Sequence, residues 1–266
     1  MNPRNAVDKL YGEIWADDSP ALEAETEQSL NPRGTDWLFE AFEQLGPQPG
    51  QLVVDVGARD ATHTIRLVRQ HGLRAIALDP VELHVELARR AIAEAGVEID
   101  VVQAGIEAMP IGDDAADWIW CRDVLVHVDL EPGFAECARI LRPGGQMLAY
   151  VTCSTDKLEP REASWLFDVL AIVPESTEPD VIEPRASDAG LSLVSKTELG
   201  GEWRERMLEA GTWSASDDLL RLSRLRRHGA DLDDPRVAAY AAARVWGVYQ
   251  LLGKTCPTVY VWTSSG

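Results

Sequence analysis

The chain has 266 residues, 45% hydrophobic and 26% charged, enough for one large core or a core with a small annex and incompatible with low-complexity disorder. Lys+Arg 25 against Asp+Glu 44 leaves a net charge of -19, which excludes the basic field that holds a polynucleotide. No apolar run reaches the roughly 20 residues of a membrane helix and MNPRNAVDKLYGE lacks a signal-type apolar stretch, so a cytoplasmic protein with no membrane partner is expected.

In chain order, residues 1–48 hold two helical patterns, around Val7–Trp15 and Thr35–Leu45, split by a polar stretch with Pro20, Pro32 and Gly34. They read as N-terminal cap helices. A core follows over 49–199. Leu52–Val56, Arg74–Asp79, Glu98–Gln103, Ala116–Cys121 and Gly145–Thr152 read as strands, and their nearly continuous hydrophobicity suits burial on both faces. THTIRLVRQHG, VELHVELARRAIAEAG and EPGFAECARILRPGG read as helices, the last two closed by glycine. Such alternation implies right-handed crossovers and a parallel sheet. Leu191–Leu199 and a last strand within 258–266 complete it, with a helical cap inserted over 200–257. Cys121, Cys137, Cys153 and Cys256 form no CxxC, so neither a metal site nor a disulfide framework is expected.

The turn after the first strand reads VVDVGARDATHT. Gly57 suits a sharp turn where backbone approaches a ligand. Arg59 and Asp60 stand where a dinucleotide fingerprint wants bare backbone, which disfavours a nicotinamide oxidoreductase. Asp79-Pro80 ends the second strand. An acid there can accept both hydroxyls of a ribose, although Asp before Pro is also an ordinary loop opener.

Taken together, VVDVGARDA, ALDP, QAGIEAMPI, DWIWCRDVLVHV and ARILRPGGQMLAYV resemble, in order and spacing, the landmarks of the class I S-adenosylmethionine-dependent methyltransferases, from about Leu52 to Val151. The resemblance implies a Rossmann-like three-layer α/β sandwich whose seven-stranded, mostly parallel sheet ends in an antiparallel strand. It implies S-adenosyl-L-methionine as cofactor and S-adenosyl-L-homocysteine as product. It places Asp55, Gly57 and Ala58 along the methionine part, Asp79 and Pro80 at the ribose, Ile106 and Glu107 at the adenine, and Arg122 beside the sulfonium. Arg59 and Ala61 replace the family's second and third glycines, and Gly105 replaces an acid that commonly reaches the adenine amino group. Arg59 would compensate by pairing its guanidinium fork with the cofactor carboxylate.

Methyl transfer needs positioning and, for many acceptors, removal of a proton. His127 is the candidate base, with Asp123 four residues before it. R-D-x-x-x-H at 122–127 resembles the corresponding loop of the phosphoethanolamine methyltransferases, in which the His pairs with an N-terminal Tyr, here Tyr11. The competing reading of His127 is a packed loop residue. His63 and His84 read as helix surface. Arg221, Arg224, Arg226 and Arg227 either attract an anionic group or, as the stronger reading, complement a helix dipole. Trp15, Trp37, Trp203, Trp213, Trp246, Tyr240 and Tyr249 fall in the cap segments. Most would pack between helices, and a minority would line a small-molecule acceptor cavity. The expected activity is O- or N-methylation of a small molecule. The alternatives are C-methylation, or a protein that binds the cofactor without transfer, as a cyclase or pseudoenzyme.

Overall fold

The computed structural model describes residues 3–14 and 20–265 and falls into two compact units, Met1–Pro32 and Arg33–Gly266. The first holds α1 (Pro3–Lys9), a π-helical turn over Leu10–Ile14, and α2 (Pro20–Glu27). Trp15 lies outside the described residues.

The second unit begins with α3 (Trp37–Gln44) and continues β1 (Leu52–Val56), α4 (Thr62–His71), β2 (Arg74–Asp79), α5 (Glu82–Ala95), β3 (Asp100–Gln103), β4 (Ala116–Arg122) and α6 (Leu130–Ile140). Then come β5 (Leu141–Ser154), α7 (Pro160–Leu170), α8 (Pro179–Asp188), β6 (Leu191–Glu198), α9 (Glu202–Glu209), α10 (Ala215–Arg227), α11 (Pro235–Leu251) and β7 (Thr255–Ser264). The seven strands form one sheet in the order β3-β2-β1-β4-β5-β7-β6. β1 to β5 run parallel, and β7 is antiparallel to both of its neighbours.

Strand alternation builds two cores. Val54, Ile119 and Met147 face Phe134 and Cys137 of α6 and Ile182 of α8. Val53, Trp118, Trp120 and Leu148 face Leu38, Phe39 and Phe42 of α3 and Leu67 of α4. Helices on both faces make three layers. The helix Trp37–Gln44 thus belongs to the sheet-bearing unit and packs on the sheet face. The helices α9 to α11 fill the span between β6 and β7. Because β7 is antiparallel to both neighbours, β6 runs with β5, so this span leaves and re-enters the sheet at the carboxyl edge of the parallel strands.

Local differences from the sequence reading have physical causes. α6 stops at Ile140 instead of running to the glycines, because Arg142 precedes Pro143 and the chain is already extended at Leu141 (ψ 127). Pro143 is accommodated at the irregular start of β5, where the register to β4 shifts between Ala116 and Trp118. β3 is an edge strand and starts at Asp100, two residues late. β7 starts at Thr255, ahead of the Pro257 that masked it, and the Pro257 carbonyl accepts from Leu199 N–H at 2.8 Å. α8, with Pro184 inside it, has no clear periodicity in the sequence.

Candidate active site

In this sheet the strand order reverses between β1 and β4, and a ligand crevice forms outside the carboxyl ends of strands at such a point. A cavity of about 870 Å³ opens there. Asp55, Gly57, Ala58 and Arg59 supply one wall, and Asp79 and Pro80 the end of β2. Ile106 and Glu107 come from the loop after β3, and Arg122, Asp123 and His127 from the loop after β4. Eleven of the twelve site residues named from sequence therefore share one cleft. The twelfth, Tyr11, belongs to the unit Met1–Pro32, where its ring is 58% exposed.

The β1–α4 turn keeps a glycine-type backbone with fewer glycines. Gly57, Arg59 and Ala61 have φ of 75°, 51° and 56°, all left-handed, which costs a non-glycine residue roughly 1–2 kcal/mol. Gly57 is sterically obligatory: a Cβ there would stand 2.2 Å from Val124 Cγ2. Ala61 is fully buried against Ala58, Ala77 and Ala88, so little more than a methyl fits.

At the end of β2, Asp79 is 6% exposed. Its Oδ2 accepts from Arg59 N–H at 2.9 Å, and its Oδ1 accepts from Val81 N–H at 2.9 Å and lies 3.0 Å from His84 Nδ1. The carboxylate is thus oriented at the cleft from three sides. His84 is part of this site and not a surface bystander. Its position in the first turn after a cleft strand was the available signal.

Asp55, beneath the turn, accepts from Thr64 Oγ1 at 2.5 Å. Burial pushes its carboxyl up to about 7, with Asp79 adding to the shift and Thr64 and Arg122 opposing it. Asp123 has φ of 58°, so no single α-turn joins it to His127; a short 3-10 helix spans Leu125–His127 instead. Both still face the cleft. Asp123 lines the cleft, and 47% of its side chain is exposed. Desolvation by the cleft walls nevertheless raises its carboxyl to about 6, against the pull of Arg122, His127 and Arg204.

Arg122 is held by its surroundings. Its Nη1 lies 3.0 Å from His63 Nε2 and its Nε 3.7 Å from Asp123 Oδ2. Its guanidinium carbon is 5.8 Å from the Tyr150 ring centre and 5.7 Å from that of Trp203. Guanidinium only donates, so His63 Nε2 is the acceptor and the ring is neutral. Phe39 and Trp120 meet His63 edge to face. Burial, then the facing Arg122 charge, depress its pKa to about 4. The helix-surface assignment of His63 is therefore corrected.

His127 Nδ1 is 2.9 Å from the carbonyl oxygen of Ala171, just past α7. A carbonyl accepts and cannot donate, so the proton sits on Nδ1 and the basic lone pair on Nε2.

The cleft walls carry no Trp, Tyr or Phe among the described residues. Trp203 stacks on Tyr150 at 4.5 Å, Trp213 donates to Asp218 at 2.8 Å, and Trp246 and Tyr249 pack on the sheet core. α10 carries Asp217 and Asp218 in its first turn and Arg224, Arg226 and Arg227 in its last, the dipole-complementing order. No metal-binding cluster and no helix able to cross a membrane occur among the described residues.

With this geometry in view, the comparison with known proteins is direct: residues 54–149 match the family described as methyltransferase domain. The match covers about a third of the chain, and the seven-stranded sheet around it has the fold of solved S-adenosylmethionine-dependent methyltransferases. The dimethylglycine N-methyltransferase of Parasynechococcus marenigrum (strain WH8102) is 31% identical over 147 residues, 52% of this chain and 52% of that protein. The chain spans about half the length of the curated relatives it matches. A Haemonchus contortus phosphoethanolamine N-methyltransferase, solved with phosphomonomethylethanolamine and S-adenosylhomocysteine, superposes with a TM-score of 0.69 at 14% identity, over 90% of this chain and 54% of that one. A Streptomyces coelicolor A3(2) geranyl diphosphate C-methyltransferase superposes at 0.67 with 13% identity, over 86% and 75%. All residues that line the cleft fall within the matched segment 54–149.

Proposed function

We propose that this chain transfers a methyl group from S-adenosylmethionine to an oxygen or nitrogen of a small-molecule acceptor. The tautomer of His127 carries the reading: a base with its lone pair on Nε2, in the lining of a cleft whose other residues suit the cofactor. The N-methyltransferase name of the 31% identical relative supports nitrogen or oxygen over carbon.

The walls fit the cofactor. Arg59 and Ala61 keep left-handed φ, so the turn retains the shape that three glycines would give. Asp79 offers its carboxylate to the ribose hydroxyls, and Ile106 an apolar wall to the adenine. A Cβ at Gly105 would stand 2.7 Å from Glu107 Oε2. Glu107 therefore brings a carboxylate to the place of the acid that Gly105 lacks, and would accept from the adenine amino group.

Bound S-adenosylmethionine supplies a methyl already activated on a sulfonium. The protein's own part is to orient the acceptor, to exclude water and to take the acceptor proton on His127 Nε2. Asp123 stands beside this base and Arg122 beside the reacting region.

Calorimetry with S-adenosylmethionine, followed by assay of S-adenosylhomocysteine formation, tests the proposal. Binding that is lost at least tenfold in Asp79→Ala, with slow turnover by the wild type, is expected. No binding at millimolar cofactor would overturn it.

A further inference from the structure

A second cavity, of about 690 Å³, lies between α7, α10 and α11 and shares no lining residue with the cleft. Trp165 of α7, Leu222 and Leu225 of α10, Leu232 beyond it and Val245 of α11 give it an apolar floor. Leu219 and Leu232 at its border are each 52% exposed. Two cations interrupt this surface, Arg161 in the first turn of α7 and Arg226 in the last turn of α10, and no carboxylate lines it.

Neither arginine carries an ion pair among the described residues. In a chain with 44 acidic and 25 basic residues, these two differ from Arg33, Arg66 and Arg139, which each hold a carboxylate. An apolar wall free of carboxylates, with two guanidinium groups that make no ion pair, sets this surface apart from the acidic composition of the chain. The cavity has the volume and the mostly apolar, sparsely polar lining of a small-molecule site.

We propose that this cavity binds a soluble anionic amphiphile, with its carboxylate-type head between Arg161 and Arg226 and its hydrocarbon body on Trp165, Leu222, Leu225 and Val245. Guanidinium forks suit a planar carboxylate, and a hydrocarbon chain removes the exposed leucine surface from water. Helix α7 connects the two sites. Its start lines the cavity, and the carbonyl of Ala171 beyond its end holds His127. The proposal is independent of which reaction the cleft performs.

Calorimetric titration of the full chain with dodecanoate below its micelle concentration tests it. Saturable one-to-one binding is expected, weakened at least tenfold in the double variant Arg161→Gln, Arg226→Gln and at least tenfold for dodecanol in place of dodecanoate. Val245→Glu, checked for an unchanged melting curve, is expected to abolish it. Absence of saturable binding, equal affinity for the alcohol, or an unaffected double variant would each overturn the site. So would sedimentation of the protein with phosphatidylglycerol vesicles without dodecanoate binding, or a dimer in gel filtration that dodecanoate fails to dissociate.

Discussion

His127 Nδ1 donates to the carbonyl oxygen of Ala171 at 2.9 Å, a contact between the loop after β4 and the end of α7 that fixes which ring nitrogen can accept a proton. His127→Asn keeps a donor near Nδ1 and removes Nε2. We expect kcat to fall by about 10²–10⁴ while the dissociation constant for S-adenosylmethionine stays within about threefold. S-adenosylhomocysteine formation and calorimetry read the two quantities, and turnover within tenfold of the wild type would remove His127 as the base.

Gly57 faces Val124. A methyl at 57 combines a left-handed φ of 75° with a contact of 2.2 Å to a stiff β-branched side chain. Gly57→Ala should lower stability by about 2–4 kcal/mol, and Val124→Ala in the same chain should restore part of it. Urea midpoints of the single and double variants decide this; equal midpoints would mean that the turn yields more easily than its geometry indicates.

Arg59 adopts φ of 51° without being glycine. Arg59→Gly removes a left-handed penalty of roughly 1–2 kcal/mol and adds an unfolded-state entropy cost of roughly 0.5–1 kcal/mol, so stability should rise by up to about 1.5 kcal/mol. If the guanidinium pairs with the cofactor carboxylate, affinity falls in the same variant. A more stable protein with unchanged affinity would leave Arg59 without that role.

Asp55 has its carboxyl pushed up to about 7 by burial. An unfolded aspartate titrates near about 3.9, so between these values the folded chain holds a proton that the unfolded chain has released. Stability from this group is full below about pH 4 and declines as pH rises through about 7, by at most on the order of 4 kcal/mol. Asp55→Asn should remove the decline. Denaturant midpoints at pH 5 and pH 8 that differ equally in wild type and variant would contradict this.

His63 runs the other way, since its pKa is depressed to about 4 by burial and by Arg122, with Arg66 adding to the shift and Asp60 opposing it. Its contribution is full above about pH 6.5, the ordinary histidine value, and is lost as pH falls through about 4. Arg122→Leu should raise the titration midpoint of His63 in histidine-labelled NMR spectra. An unmoved midpoint would show that the guanidinium does not face the ring.

The nearly continuous apolar runs made β1 and β2 legible to the residue, because buried parallel strands have few other sequence solutions. The cleft residues were legible for a related reason: Gly57, Asp79 and Arg122 sit at strand ends, and strand ends are what hydrophobic runs mark. His63 and His84 were not, since each occupies a first helical turn where sequence shows a polar residue and conceals its aim. The start of β5 was hidden by Pro143 and two glycines, which in isolation mark a turn. The tryptophans after β6 were located but not directed, because stacking such as Trp203 of α9 on Tyr150 of β5 joins elements far apart in the chain.

β7 lies between β5 and β6, so the strand formed by 255–264 completes both antiparallel ladders. During synthesis β6 and the helices after it emerge before the strand that ties them to the sheet. The cleft-bearing half, β1 to β5, can assemble while this half waits, its ladder edges open to a wrong partner. A ribosome-stalled chain ending before residue 255 would therefore carry a nearly finished cleft beside an unanchored β6 and its following helices, and would depend on chaperones for as long as the stall lasts.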